Sequence, residues 1–552
     1  MHTNRYYSCF ILLSGFLASI LLSCGSMHTS DKVVGYQGEV FTIERPKVSK
    51  LHTVNAAQFG LDTAATNNSD AMRDAFAYCA EHPGTRLVIN PGVYHFDQRK
   101  GIVVKEVNDC LIDGPEAKFV TGRVGTFFDI RHCRCLEWRG LSFDWERDTD
   151  PIDDVVRVQN VDSTARTLDL LFFQRDAVSE TMTIKAMTQC DPNTLTFGAE
   201  GSSEEVYFYS SHCIDSVSRV APNVLRLHLN RYPMFSEGII ALLRHYVYDG
   251  TTFHLGGESR DVTFQSLHIF GSPGMALVAD DRASHFQILD TYIGVDPALQ
   301  ERHHVSLGAD AIHAVNTDGC IRIEGCDISR QGDDAVNIHD GLGYIFAVDK
   351  DKASMYASNM PTDVGDMIAF KDRGYADLPL RVKVVSVSYA KGHRTVTFDR
   401  PIADSICEGC TAWNTSYESS RYVLRHNTFH ENRARGLLLQ SSKGVCEDNI
   451  FYKIEGPAIR VVMDIIPALW QEGTGVDGLT IRGNTFDTCD YSHWGRVLEI
   501  STNIDGRKAE AIVFRNIEIT HNTFTGCHTQ LLDAANVEGL VCDDELLSGK
   551  PQ

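Results

Sequence analysis

Asp333 and Asp334 stand side by side in ISRQGDDAVNIHD, residues 328–340, between a glycine and an apolar stretch. Adjacent carboxylates repel, and a chain rarely gains stability from such a pair. A third carboxylate belongs with them. GADAIHAV begins at Gly308 and GDDAVNIH at Gly332, so Gly matches Gly, Ala311 matches Ala335, and Ile312 matches Val336. Asp310 then corresponds to Asp334, 24 residues later. Carboxylates within a few ångströms of one another raise a neighbour's pKa, so one can keep its proton while the others do not. That is equipment for general acid–base chemistry, and for glycosidic bond cleavage in particular. The leaving oxygen needs a proton and the anomeric carbon a nucleophile. On this scheme Asp333 is the acid, and Asp310 with Asp334 activates water. In a regular strand Asp333 and Asp334 would point to opposite faces, so the scheme needs a turn between them, which Gly332 permits. The plainer role for an aspartate here is to cap a solvated turn, as expected for Asp280 and Asp281 in ADDRAS and for Asp318 in NTDG.

Positioning these groups falls to a repeat. Strand–turn–strand units begin at Phe264 (FQSLHIFGSPGMALVAD), Phe286, Ile321, Tyr422 (YVLRHNTFHENRARGLLLQ) and Cys446. An Asn-x-Phe signature recurs 22 residues apart at Asn427 and Asn449, and Ile269 and Ile293 are 24 apart. A period in the low twenties, with strands and no helices, predicts an all-β fold, a right-handed parallel β-helix. Leucine-rich repeats share the period, but their Leu/Asn consensus is missing. Stacked coils put equivalent positions roughly 4.8 Å apart, which sets Asp310 beside Asp334. Two gaps break the period, Phe143 to Ile269 (126 residues) and Ile328 to Phe429 (101 residues). Both inserts alternate apolar and polar residues and are expected to be small β-barrels. The expected organisation is a leader over 1–23, a linker over 24–50, and a cap with the first coils over 51–145. An insert follows over 146–255, catalytic coils over 256–340, a second insert over 341–420 and C-terminal coils over 421–545. Ser69 and Asp70 are cap candidates for a short helix with Ala75, Phe76 and Cys79 on one face. With the strand and Pro-Gly turn after it, this resembles the cap of pectin-lyase-like β-helix enzymes, which covers the open edge of the first coil.

The chain has 552 residues, 51 basic and 73 acidic, for a formal charge of −22. That balance excludes a nucleic-acid partner, which needs a basic footprint, and favours a neutral substrate. Arg5 and an apolar run ending in LLSC resemble a bacterial lipobox, with Cys24 as the acylated first residue of the mature protein. The expected protein is exported and lipid-anchored to a bacterial (outer) membrane, periplasmic or at the cell surface, and touches the membrane only through that anchor. An ordinary cleaved signal is the alternative. Of the 16 cysteines, CEGC (Cys407, Cys410) allows a disulfide, and no second pair is spaced for zinc. No metal and no cofactor are expected.

Cap, coils, inserts and the pairing of GADAIH with GDDAVNIH together resemble glycoside hydrolase family 110, the α-1,3-galactosidases of gut and marine bacteria. The resemblance covers the whole mature chain. It implies an exo-acting, inverting enzyme that removes terminal α-1,3-linked galactose, as in the blood group B determinant of host glycans. It also implies Asp310, Asp333 and Asp334 as catalytic residues. The Gly-His-Gly and Arg-Ile-Lys motifs of family 28 pectinases are absent, and the nearest approach to the second is AIRVV at Ala458.

Coil register places Arg435 beside Asp334, where it would bond sugar hydroxyls or orient a carboxylate. His313 and Asn337 are equivalent across coils, and His339 follows; by alternation Asn337 and His339 face outward. Trp494 and Trp470 are candidate sugar platforms. Three rival readings remain: a Ca²⁺-dependent lyase acting on uronates, a non-catalytic glycan-binding lipoprotein, and a hydrolase for α-N-acetylgalactosamine. Solenoid enzymes with barrel inserts often form homo-oligomers, and no patch in the sequence decides this.

Overall fold

The computed structural model describes residues 30–97, 101–351, 353–358, 360–543 and 546. The leader and Cys24 lie outside the described residues. Among those described, no helix is long and apolar enough to cross a membrane.

Short apolar strands that cannot bury a face alone stack into three parallel sheets of 13, 10 and 11 strands. Their inward side chains form one continuous core from Leu87 to Leu532. The result is a parallel β-helix. Register is kept across the inserts. Ile312 pairs with Val336, Val336 with Leu437, and Leu437 with Ile459. The 101-residue step from Val336 to Leu437 is therefore a single coil with an insertion.

The Asn-x-Phe signature has a physical basis on both of its residues. Asn427, Asn449, Asn484 and Asn522 form a buried ladder: the side chain of Asn449 accepts from the backbone N–H and the amide of Asn427, both at 3.0 Å, and donates to Asn484 at 2.9 Å. Phe429, Phe451, Phe486 and Phe524 stack one above the next, with ring centroids 5.2, 4.9 and 5.0 Å apart. The ladder satisfies backbone groups at the turn, and the stack fills the core beneath it.

The cap helix is Ser69–Glu81, and its Met72, Ala75, Phe76 and Cys79 are buried. Phe76 packs against Phe128 and Trp138. The helix starts earlier than Ser69 and Asp70 suggested: Asn68 holds the N-cap position without a side-chain bond into the helix, and the Asn67 side chain accepts from the Ser69 N–H at 3.0 Å. The first insert is an open seven-stranded antiparallel sheet, not a barrel. One edge strand, Glu205–Tyr207, is bonded to Arg433 of the solenoid through Glu205 instead of closing on the other edge. The solenoid resumes at Gly250–Gly256, which pairs with Gly125–Arg131 across the gap. The second insert, from Leu342–Asp349 to Thr411–Asn414, closes into a six-stranded barrel. Cys407 and Cys410 are free thiols with sulfurs 3.9 Å apart.

Replacing Asn449 with Leu removes the ladder's central link and leaves the buried Asn427 N–H without an acceptor. Stability measured by urea denaturation should fall by about 2–4 kcal/mol. A loss under about 1 kcal/mol would show that the ladder is dispensable.

Candidate active site

Three consecutive coils bend at the same point before entering one sheet, at Gly308–Ala309, Gly332–Asp333 and Arg433–Ala434. The strands that follow are Ile312–Val315, Val336–His339 and Leu437–Leu439. The bends stack through Ala311 N–H to Asp334 O at 3.0 Å and Ala335 N–H to Arg435 O at 3.1 Å. Asp310, Asp334 and Arg435 therefore stand in one row. The bend answers the question of convergence: Asp333 leaves the strand pattern and turns to the same side as its neighbours. One oxygen from each of Asp310, Asp333 and Asp334 lies within 4.8 Å of the others.

All three aspartates are nearly out of water, at 3%, 8% and 2% exposure, so their charge has to be met inside the protein. Asp333 accepts from Arg433 Nη1 at 2.8 Å and from the Tyr248 hydroxyl. Asp334 accepts from the Arg435 backbone N–H at 3.1 Å and from its Nη2 at 2.8 Å. Asp310 accepts from the Asp334 N–H at 3.2 Å and pairs with His313 Nδ1 at 2.7 Å. These partners separate the three. Burial would raise Asp333, but Arg433, Arg435 and Tyr248 hold it below the usual carboxylate value. Burial raises Asp334 well above that value against the pull of Arg435, and Asp333 and Asp310 push the same way. Asp310 is raised by burial, pulled back by His313 and raised again by Asp333. In the unliganded site these directions run against the expectation that Asp333 carries the proton: two guanidiniums and a phenol favour its carboxylate, and burial favours a proton on Asp334.

The first insert completes the site. Glu205 grips Arg433 with two bonds of 2.7 Å. Arg244, fully buried, donates to the carbonyls of Gly332 at 2.6 Å and Gly308 at 3.1 Å, pinning two successive bends. Its guanidinium lies over Phe197 and Tyr207, and that of Arg433 over Tyr207 as well. Gly332 has no room for a side chain, since a Cβ there would run into Arg244 and the Gly308 carbonyl.

The other sequence candidates divide. Arg435 orients a carboxylate, one of its two expected roles. His313 is in the cluster, and its Nε2 lies 3.0 Å from His339 Nε2. His339 and Asn337 do face away from the core, but both are 5% exposed, because the outer side of this sheet is covered at this point. The edge strand Trp470–Glu472 approaches there: Glu472 bridges to Gly341 and reaches within 3.9 Å of His339. Among the described residues the Asn337 Oδ1 has no hydrogen-bond partner. Trp494 lies outside the cluster, with its ring edge against Gly456 and 41% exposed. Sequence reasoning missed Arg433, Tyr248, Glu205, Arg244 and Glu472. Only Arg433 carried a signal, two residues before Arg435 in the same coil.

No family model matches the chain. Curated relatives do. It is 22% identical over 535 residues to alpha-1,3-galactosidase A of Shewanella woodyi, covering 88% of this chain and 84% of that one. It is 22% identical over 547 residues to alpha-1,3-galactosidase B of Bacteroides thetaiotaomicron, covering 90% and 86%. It is 27% identical over 538 residues to alpha-1,3-galactosidase B of Akkermansia muciniphila, covering 88% and 65%. Among solved structures, the A-module of the mannuronan C-5 epimerase AlgE4 of Azotobacter vinelandii matches with a TM-score of 0.40 at 9% identity, covering 89% of this chain and 97% of that one. The catalytic domain of a GH87 alpha-1,3-glucanase matches with a TM-score of 0.39 at 11% identity, covering 92% and 60%. The curated relatives mark the chain as a glycoside hydrolase.

Replacing Gly332 with Ala should displace Arg244 and spread the aspartates. Glycosidase turnover should fall by at least about 10²-fold, with a loss in unfolding free energy of about 1–3 kcal/mol. Steady-state rates and denaturation on the same preparation check both.

Proposed function

We propose that the protein is an exo-acting, inverting α-1,3-galactosidase that removes terminal α-1,3-linked galactose from blood group B-type glycans. The observation that carries this reading is the Asp310/Asp333/Asp334 cluster, with one member biased toward its proton and one held ionised. The names of the curated relatives supply the sugar and linkage. In the proposed mechanism Asp334 protonates the leaving oxygen. Asp310, held by His313, takes the proton of the attacking water, and Asp333 shares that water. Inverting enzymes usually separate acid and base by roughly 6.5–9.5 Å. The tighter cluster here requires the water to sit on its flank, held by two carboxylates, while the acid reaches the glycosidic oxygen from the other side. Trp494, its ring 41% exposed, stays in this proposal as a sugar platform. Arg433 and Arg435 bond two of the three carboxylates, which favours hydrolysis over a Ca²⁺ lyase that needs free carboxylates for its ion. Anchoring through Cys24 at the bacterial cell envelope belongs to the same proposal.

A proton NMR time course with blood group B trisaccharide, run beside linear α-1,3-galactobiose and with EDTA present, tests the reading. β-Galactose should appear first from the trisaccharide. α-Galactose appearing first would overturn inversion, and no galactose from either sugar would overturn the substrate. Asp310→Asn, Asp333→Asn and Asp334→Asn should each cost at least about 10²–10⁴-fold in kcat with the fold intact by circular dichroism. Near-normal turnover in any one removes that residue from the mechanism.

A further inference from the structure

We propose that His339 is a positioning residue, holding the His313 ring so that its Nδ1–H stays on Asp310 and Asp310 stays ionised as the base. This rests on the base role given to Asp310 above. The two imidazoles meet nearly edge to face, with centroids 5.0 Å apart and planes at 78°. His313 Nδ1 is 2.7 Å from Asp310 Oδ2, and its Nε2 is 3.0 Å from His339 Nε2. Both ring nitrogens of His313 are thus occupied, and the ring cannot rotate without breaking both contacts. Coil register explains the meeting. His313 pairs with Asn337 and Val315 with His339, so the two histidines are diagonal neighbours on the outer face of adjacent strands. A pair facing open solvent would exchange partners with water, but His339 is buried.

The surrounding charges make this contact decisive. Asp333 and Asp334 face Asp310 from the next coil, Arg435 from the coil beyond, and Tyr248 from the end of the first insert. Glu472 faces both histidines from its edge strand. Burial and Asp333 disfavour an ionised Asp310. Arg433 and Arg435 are spent on Asp333 and Asp334 in direct bonds. His313 is the one cationic or donor side chain bonded directly to Asp310 among the described residues. Burial opposes a charge on His313, yet Asp310 raises it above the usual imidazole value. Burial and His313 together push His339 well below that value, which suits a neutral partner. If the His313 ring swings away, Asp310 takes up the shared proton and the base is lost.

The sign follows. Asp310 must be ionised to act, so a weaker hold raises the pH at which the base becomes available. With His339→Leu, the acid limb of kcat/KM should move to higher pH, and activity should fall roughly tenfold more at pH 5 than at pH 7.5. His339→Gln, whose amide can meet His313 Nε2 as donor or acceptor, should leave the limb where the wild type has it, whatever its rate. A packing role would lower activity evenly across pH in both variants. A second readout needs no substrate. In the full chain labelled with ¹⁵N-histidine, the His313 nitrogens, assigned with His313→Gln, should titrate at lower pH in His339→Leu than in the wild type. An unmoved limb in an active His339→Leu, or unmoved His313 nitrogens, overturns the proposal. If the wild type cleaves no α-galactoside, the function reading fails and the nitrogen titration still judges the coupling of the two rings.

Discussion

Three carboxylates with oxygens within 4.8 Å of one another, almost out of water, form an arrangement that a fold does not keep unaided. Removing one partner of a buried ion pair costs roughly 3–5 kcal/mol, and here each aspartate depends on a different partner. Arg433 and Tyr248 hold Asp333, Arg435 holds Asp334, and His313 holds Asp310. The unequal partners do more than neutralise. They bias three chemically identical groups differently, Asp333 toward its carboxylate and Asp334 toward its proton, the condition for acid and base work at one site.

The solenoid makes this arrangement rigid. A side chain in a parallel β-helix is placed by the coil below and the coil above, and the Asn ladder and Phe stack run through coils beyond the site. The aspartates therefore sit on strand ends whose spacing is set by backbone hydrogen bonds, a more exacting support than a loop. Gly308 and Gly332 let the chain bend at the same height in successive coils, and the carbonyls exposed by those bends are taken up by Arg244.

The first insert is part of the site. Glu205, Arg244 and Tyr248 all come from it or its exit, and all bear on Asp333 or on the bends that carry it. An open sheet suits this task better than a closed barrel, since the edge strand Glu205–Tyr207 remains available to the helix. The second insert closes on itself. The two insertions alternate similarly in sequence and have different structures, because closure depends on which edges find partners in space.

The sequence by itself determined the solenoid, its period and the Asp310/Asp334 stack, because in a parallel β-helix contact follows from register, and register follows from the apolar pattern. It also determined that Arg435 would lie beside Asp334, through the same rule applied across a 101-residue gap. The tertiary structure alone decided how the aspartates are biased, since for Asp333 that depends on Arg433, Arg435, Tyr248 and Arg244, and two of these lie in or at the exit of an insert outside the repeat. It also decided that His339 and Asn337 are buried: alternation tells which way a side chain points but not what covers it. Proton placement is a property of distance and dielectric, and neither is periodic in sequence.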